Sequence, residues 1–359
     1  MSANIRQRRD VAVRRHVNKR GVHGIRLSRA LAVPVTSLVV TVVVAPATLL
    51  AASDTALGIL RRATAAQGDV TYSSVGSVTQ SGGPYANTST QTVLRKAGGK
   101  ERIKVQDAKG TLVWVRVCDG QTAWEYHPGS GAIFARTQPP IERLRKRDLF
   151  GLEMLGANYC VSLLGTETVA GRGAYHIRIH DPTPPAHMVR EVWIDQSKHV
   201  ELKARSYDPF GRLVHTVALE RVNFAPSFTP DTFAFEPPAG LKVHTIPKPR
   251  FVGPVDAAAR QAGFAAVLPP RVPPRFGFYR DLANVHDMRG VTVLWFQYTD
   301  GVRQFSVFER KIPPGGKEPP PAAGWARTVR VGQYHFTIVG QLSPWEFETI
   351  AAGYRALQR

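Results

Sequence analysis

Cysteine is almost absent: 359 residues contain only Cys118 and Cys160. Two cysteines without a His pair beside them do not make a zinc site. Catalytic constellations are missing too. There is no G-x-S-x-G, no H-E-x-x-H, no P-loop and no Cys-His pair, and the carboxylates are few and spread out. The reading is therefore not an enzyme, with no cofactor and no metal. His176 and His180 share a strand face, but four residues of rise put them about 13 Å apart, too far to chelate one ion. Acidic residues are in deficit, with 27 Asp and Glu against 47 Lys and Arg and a net charge of +20. Such a balance favours anionic partners, whether lipid headgroups, glycolipids or an acidic protein surface, or is simply a solvated basic surface. No basic-aromatic motif points to nucleic acid, and none is expected as a partner.

Charge is wholly missing from Leu31–Ala52 (LAVPVTSLVVTVVVAPATLLAA). Residues 1–30 carry eight Arg and Lys19 against Asp10. A basic flank before an apolar run is the positive-inside pattern of an exported chain. Twenty-two residues reach roughly 33 Å as a helix, enough to span a bilayer. Two readings stay open: a secretory signal cut near Ala45-Pro46-Ala47 or Ala51-Ala52-Ser53, and an uncleaved anchor. Either places the remaining part in the periplasm or another extracytoplasmic space. Export permits a disulfide, so Cys118 and Cys160 are candidates for one.

Beyond the leader, 43% hydrophobic and 9% aromatic content is enough for a real core. About 300 residues suit two ordinary domains. Ser53-Asp54 can cap a helix over 55–66, which Gly68 stops. Strand patterns follow at 69–80, 88–96, 101–107, 111–118 and 121–127, with Asp119-Gly120 as a hairpin turn. A helical stretch, 141–155, is expected to break near Gly151, with Arg143, Arg145, Lys146 and Arg147 on a solvated face. Strands resume at 159–165, 174–180, 189–195, 200–208 and 213–224, and Asp208-Pro209-Phe210-Gly211 is a turn. Phe233 and Phe235 read as a core plug. Residues 1–52 form the leader, 53–244 a first domain, 245–258 a Pro-bearing linker and 259–359 a second domain. In the second domain, strands at 291–298 and 303–311 flank Thr299-Asp300-Gly301. Further strands are expected at 326–331 and 334–340. Ser343 and Glu346 form a capping box for the last helix, with Pro344 at its first position.

Several stretches are co-linear with one family. Asn158–Gly165 (NYCVSLLG), Glu167–Arg172 (ETVAGR), Val192–Asp195 (VWID) and Tyr207–Arg212 (YDPFGR) lie in the first part. Ala262-Gly263-Phe264, the Leu268–Phe278 segment, Tyr298–Gly301 (YTDG) and Phe305–Phe308 (FSVF) lie in the second. Together they resemble the MucB/RseB family of sigma-factor regulatory proteins. Lys198-His199 departs from it, standing where a hairpin glycine would sit comfortably.

The resemblance implies an α+β fold: a curved antiparallel sheet like the half-barrel of LolA and LolB, with plugging helices, then a smaller α/β domain. It implies an extracytoplasmic protein that binds the outer part of a membrane anti-sigma factor, shields it from proteolysis and is released by a lipid or glycolipid. The alternative is a periplasmic lipid or lipoprotein carrier of the LolA type. A homo-oligomer is compatible with both. Trp114, Trp124, Tyr126 and Trp193 are candidate groove-lining contacts for a ligand; the other reading of the four is ordinary core aromatics of a β-sheet.

Overall fold

The computed structural model describes residues 55–81, 86–208, 210–288, 290–312, 326–340 and 342–358. The leader, the apolar run 31–52, Ser53 and Asp54 lie outside them. Among the described residues no helix is long and apolar enough to cross a membrane. Helix α1 (Ala56–Ala66) begins where the Thr55 hydroxyl accepts the Gly58 N–H at 3.1 Å. Thr55 thus supplies the cap.

The first sheet has twelve strands. Those before the long helix are β1 (Tyr72–Gln80), β2 (Asn87–Lys96), β3 (Lys100–Gln106), β4 (Leu112–Asp119), β5 (Thr122–His127) and β6 (Ala132–Thr137). After helix α2 (Ile141–Asn158) come β7 (Cys160–Val169), β8 (Arg172–His180), β9 (Met188–Asp195), β10 (Glu201–Tyr207), β11 (Leu213–Asn223) and β12 (Val243–Ile246). Their order is β12-β6-β5-β4-β3-β2-β1-β11-β10-β9-β8-β7. Neighbours are antiparallel except β12, which runs parallel to β6.

Local chemistry sets the turns. The Asp208 carboxylate accepts the Phe210 and Arg212 N–H groups, and Gly211 takes φ +77°. His199 holds φ +56°, the conformation a glycine takes at least cost. The Arg62 side chain of α1 donates to its Nε2 at 3.1 Å, so the histidine ties that turn to the helix.

One face of the sheet carries the helices. Ile59 and Leu60 of α1 pack with Ile177, Ile179, Val192, Ile194 and Ala204. Helix α2 runs unbroken through Gly151, contrary to the expected break. An interior glycine costs about 1 kcal/mol, and packing offsets it. Leu155 is buried in the α1 cluster, Phe150 meets Tyr279 at 4.6 Å between ring centroids, and Gly156 lets α1 come close at Leu57. The opposite face is covered by Phe233 and Phe235, which hold the plug position expected of them. Arg102 fixes that segment by donating to the carbonyls of Thr232 and Ala234.

The stretch 245–258 is largely structured. Strand β12 reaches Ile246, while β13 (Phe251–Gly253) and helix α3 (Val255–Ala262) belong to a second sheet. That sheet adds β14 (Gly277–Phe278), β15 (Ala283–Met288), β16 (Val291–Thr299), β17 (Gln304–Lys311), β18 (Ala326–Val331) and β19 (Tyr334–Gly340), then helix α4 (Pro344–Arg355). Its order is β13-β15-β16-β17-β19-β18, with β14 paired to β16. Phe296, Phe305, Phe336 and Ile338 pack against Phe347, Ile350 and Tyr354 of α4. The expected capping box is present: Ser343 Oγ accepts the Glu346 N–H, and Glu346 accepts the Ser343 N–H.

Glu309 is fully buried on the core face of β17. One carboxylate oxygen accepts the Val267 N–H at 2.9 Å, and the other has no hydrogen-bond partner among the described residues. Burial pushes its pKa up to about 7, against the opposing pull of that N–H. Between its ordinary 4.5 and about 7, the unfolded chain has released the proton that the folded chain keeps. Stability therefore falls as pH rises through this window. Glu309→Gln should flatten the dependence and raise stability at pH 8 by roughly 2–3 kcal/mol. Urea unfolding at pH 5 and pH 8 checks it.

Candidate functional site

Strand register assembles a row that no local motif shows. On the helix-bearing face, Arg95 of β2 lies opposite Glu101, Glu101 opposite Cys118, and Cys118 opposite Ala123. Ala123 in turn lies opposite Arg136, and Arg136 opposite Ile246 of β12. Arg95 to Arg136 spans four strand steps, about 19 Å across the sheet. Arg116 and Ile103 face each other in the adjacent row.

A cleft of about 940 Å³ lies over these rows. Its floor includes Arg95, Lys96, Lys100, Arg116 and Arg136, one side is Arg143 and Arg147 of α2, and Lys248 and Arg250 close an end. Among the described residues nine cationic ones thus border it, with Glu101 as the single carboxylate of the lining. Glu101 is already engaged by Arg95 at 2.6 Å and by Arg116 at 3.4 Å. Half the basic face of α2 expected to be solvated lies here; Arg145 instead pairs with Asp69. The opposite wall is the outer face of the second sheet, with Asn284, His286, Trp295 and Gln297. His286 is 6% exposed, and burial lowers its pKa, so it is neutral at pH 7. His286 Nε2 and Trp295 Nε1 are buried without a partner among the described residues.

The two walls are bolted at the far end of α2. Asn158 donates to the carbonyls of Arg275 and Asp300, and the Tyr159 hydroxyl donates to the Asp300 carboxylate at 2.9 Å. Arg275 reaches back to Asp181 at 2.7 Å and to Thr183 at 2.6 Å. The Arg275 hydrogen bonds hold the Asp181 carboxyl down to about 2.

Three of the four aromatics expected in a groove face away from this cleft. Trp124 and Tyr126 lie opposite Val117 and Val115 on the other face of the sheet and pack on Phe235 at 6.1 and 6.4 Å. Trp193 is also on that face. It stacks on His176 at 4.1 Å and donates Nε1–H to Glu167 at 2.9 Å. Strand alternation puts Trp114 on the face of Arg116 and Cys118, half-buried outside the cleft lining. Aromatic identity does not tell which face of a strand is covered, and the plug at Phe233–Phe235 decides it. The arginine row was missed because its members come from different strands. Only the pairing register joins them.

The candidate disulfide is not formed: both cysteines are free. Cys118 is buried in β4, while Cys160 is exposed on the edge strand β7. Burial pushes the Cys118 thiol pKa up. Maleimide should label one thiol quickly in the native chain and the second only after denaturation, read by intact mass. Among the described residues no group of three or more His, Cys, Asp or Glu is arranged to hold a metal ion.

The model of the MucB/RseB N-terminal domain matches residues 56–236. The chain belongs to the MucB/RseB family. The match runs from the start of α1 to just past the plug, so it contains the cationic floor and α2 but not the second sheet. Solved MucB structures are similar over more of the chain. A complex of Pseudomonas aeruginosa MucA/MucB is 19% identical, covers 82% of this chain and 96% of that chain, and superposes with a TM-score of 0.50. A crystal structure of MucB is 18% identical, with 83% and 96% coverage and a TM-score of 0.47. A LolA superfamily protein from Nitrosomonas europaea is 14% identical, with 50% and 98% coverage and a TM-score of 0.24. At 19% identity the likeness to the MucA/MucB complex structure is one of fold. No curated protein matches the chain. The α+β architecture expected of a MucB/RseB protein is the one observed.

Proposed function

We propose that this chain is an extracytoplasmic regulatory binding protein that takes hold of the outer part of a membrane anti-sigma factor and shields it from proteolysis. The observation that carries the reading is the cleft: it is wide, open and built by both sheets, on a chain whose first sheet is of the MucB/RseB type. MucB itself forms a complex with MucA. A segment seated between two walls is out of reach of a protease. Release by a lipid or glycolipid needs only that its anionic headgroup compete for some of the same guanidinium groups, not that the lipid fill the cleft. Burying apolar matter there contributes roughly 0.8 kcal/mol per methylene.

The test is affinity capture by the full chain from solubilised membranes of the organism that encodes it, with bound proteins and lipids identified together. A single-span membrane protein whose cytoplasmic part holds a sigma factor supports the regulator. Lipid or lipoprotein without such a protein contradicts it and supports the LolA-type carrier, which the cleft volume also suits.

A further inference from the structure

From the cleft chemistry we infer that the occupant is an extended, carboxylate-rich peptide segment laid along the arginine row. This rests on the reading above for the source of the segment, though not for the chemistry of the site. Arg136 and Arg143 border the cleft, and neither has a carboxylate within ion-pairing distance among the described residues. The one carboxylate in the lining is consumed by Arg95 and Arg116. Arg147 and Arg250 pair with Asp148 and Asp287, which are not in the lining, so Arg136 and Arg143 are the lining arginines left without a counter-charge among the described residues. An anion completes them, and guanidinium groups match carboxylates in a two-pronged geometry.

The arrangement selects a peptide rather than a lipid. The cations are strung over about 19 Å of sheet rather than gathered at one end. Apolar neighbours are interspersed among them: Ile103, Cys118 and Ile246 on the sheet, Leu144 on α2. An amphipathic lipid needs the reverse, with charge at one end and an apolar run behind it. An extended segment of about six residues spans the row, and its alternate side chains fall about 6.7 Å apart on one face. Acidic and apolar residues in alternation would meet that pattern. On the facing wall, unpartnered buried polar groups such as Trp295 Nε1 are rare in folded proteins, and the segment's backbone carbonyls offer the missing acceptors.

The experiment is fluorescence anisotropy on the solubilised full chain with a labelled (Glu-Val)₆ peptide, a (Lys-Val)₆ peptide and phosphatidylglycerol vesicles as probes. The expected result is binding of (Glu-Val)₆ over (Lys-Val)₆ that weakens with added salt. The double variant R136E/R143E should bind (Glu-Val)₆ at least tenfold more weakly and bind (Lys-Val)₆ more tightly. The gain shows that the variant is folded. Equal affinity of wild type and variant for (Glu-Val)₆ overturns the inference. So does wild-type binding to vesicles alone that the double variant loses, which would make the row a lipid site. No partner protein enters this assay. A chain that binds (Glu-Val)₆ but captures no anti-sigma factor keeps the cleft chemistry and loses the functional reading. The converse loses the cleft chemistry alone.

Discussion

Gly301→Val should separate the two sheets while leaving each folded. Gly301 sits in the Thr299–Arg303 turn at φ +101°. A Cβ there would lie 2.3 Å from the Leu155 nitrogen and 2.5 Å from its Cα, both backbone atoms of α2. Neither can rotate away as a side-chain tip would. Backbone strain at such a φ costs roughly 1–3 kcal/mol, and overpacking adds a similar amount. The loss falls on the docking of the turn against α2, so denaturant unfolding should split into two transitions and the radius of gyration should grow in solution scattering. Gly290→Ala is the control. Gly290 has φ +79° but open space around its missing Cβ, so it isolates the strain from the clash. A single unshifted transition in G301V would show that the turn is not a docking point.

The second large effect is expected at Asp300, which is fully buried in the same turn. One of its oxygens accepts the Val302 and Arg303 N–H groups, and the other accepts the Tyr159 hydroxyl and Arg303 Nε. Asp300→Ala removes all four and leaves Arg303 with Glu346 alone. Breaking one side of a buried ion pair costs about 3–5 kcal/mol. Glu346 and the partial exposure of Arg303 reduce this to about 2–4 kcal/mol. Tyr159→Phe should cost about 1 kcal/mol, one hydrogen bond. If the bolt acts as one unit, the double variant should cost less than the sum of the two singles, which urea unfolding of all four chains measures. Strict additivity would mean that Tyr159 and Asp300 do not act on each other.

Much of the fold was legible because it is local. Val and Thr alternation, Asp119-Gly120, Asp208 with Gly211, and Ser343 with Glu346 each act within a few residues, and each is seen in the structure. Elements that depend on distant pairing were not legible. Strand β6 lies next to the Pro139-Pro140 interruption, and β12 is four residues that pair parallel to β6 across more than a hundred residues of chain. Strand β6 does follow a local signal, the Pro128-Gly129-Ser130-Gly131 turn of its hairpin with β5, whereas β12 has none. The cleft suffers most from this. Its arginines look like scattered surface charge until β2 to β6 and β12 are set in register. The groove expected at Trp124, Tyr126 and Trp193 is instead the packed outer face, since large aromatics mark burial without telling which cover buries them. Gly301 reads as an ordinary hairpin glycine, and its contact with Leu155 exists only once the second sheet is docked.

Shielding of a membrane anti-sigma factor by this chain can be read as a rate. The most direct measurement is the rate at which a protease cuts the outer part of the captured partner, with and without the full chain at saturating concentration. Cutting should be slowed by the wild type and return to its unshielded rate when R136E/R143E replaces it. Cutting at one rate in every case would contradict the account.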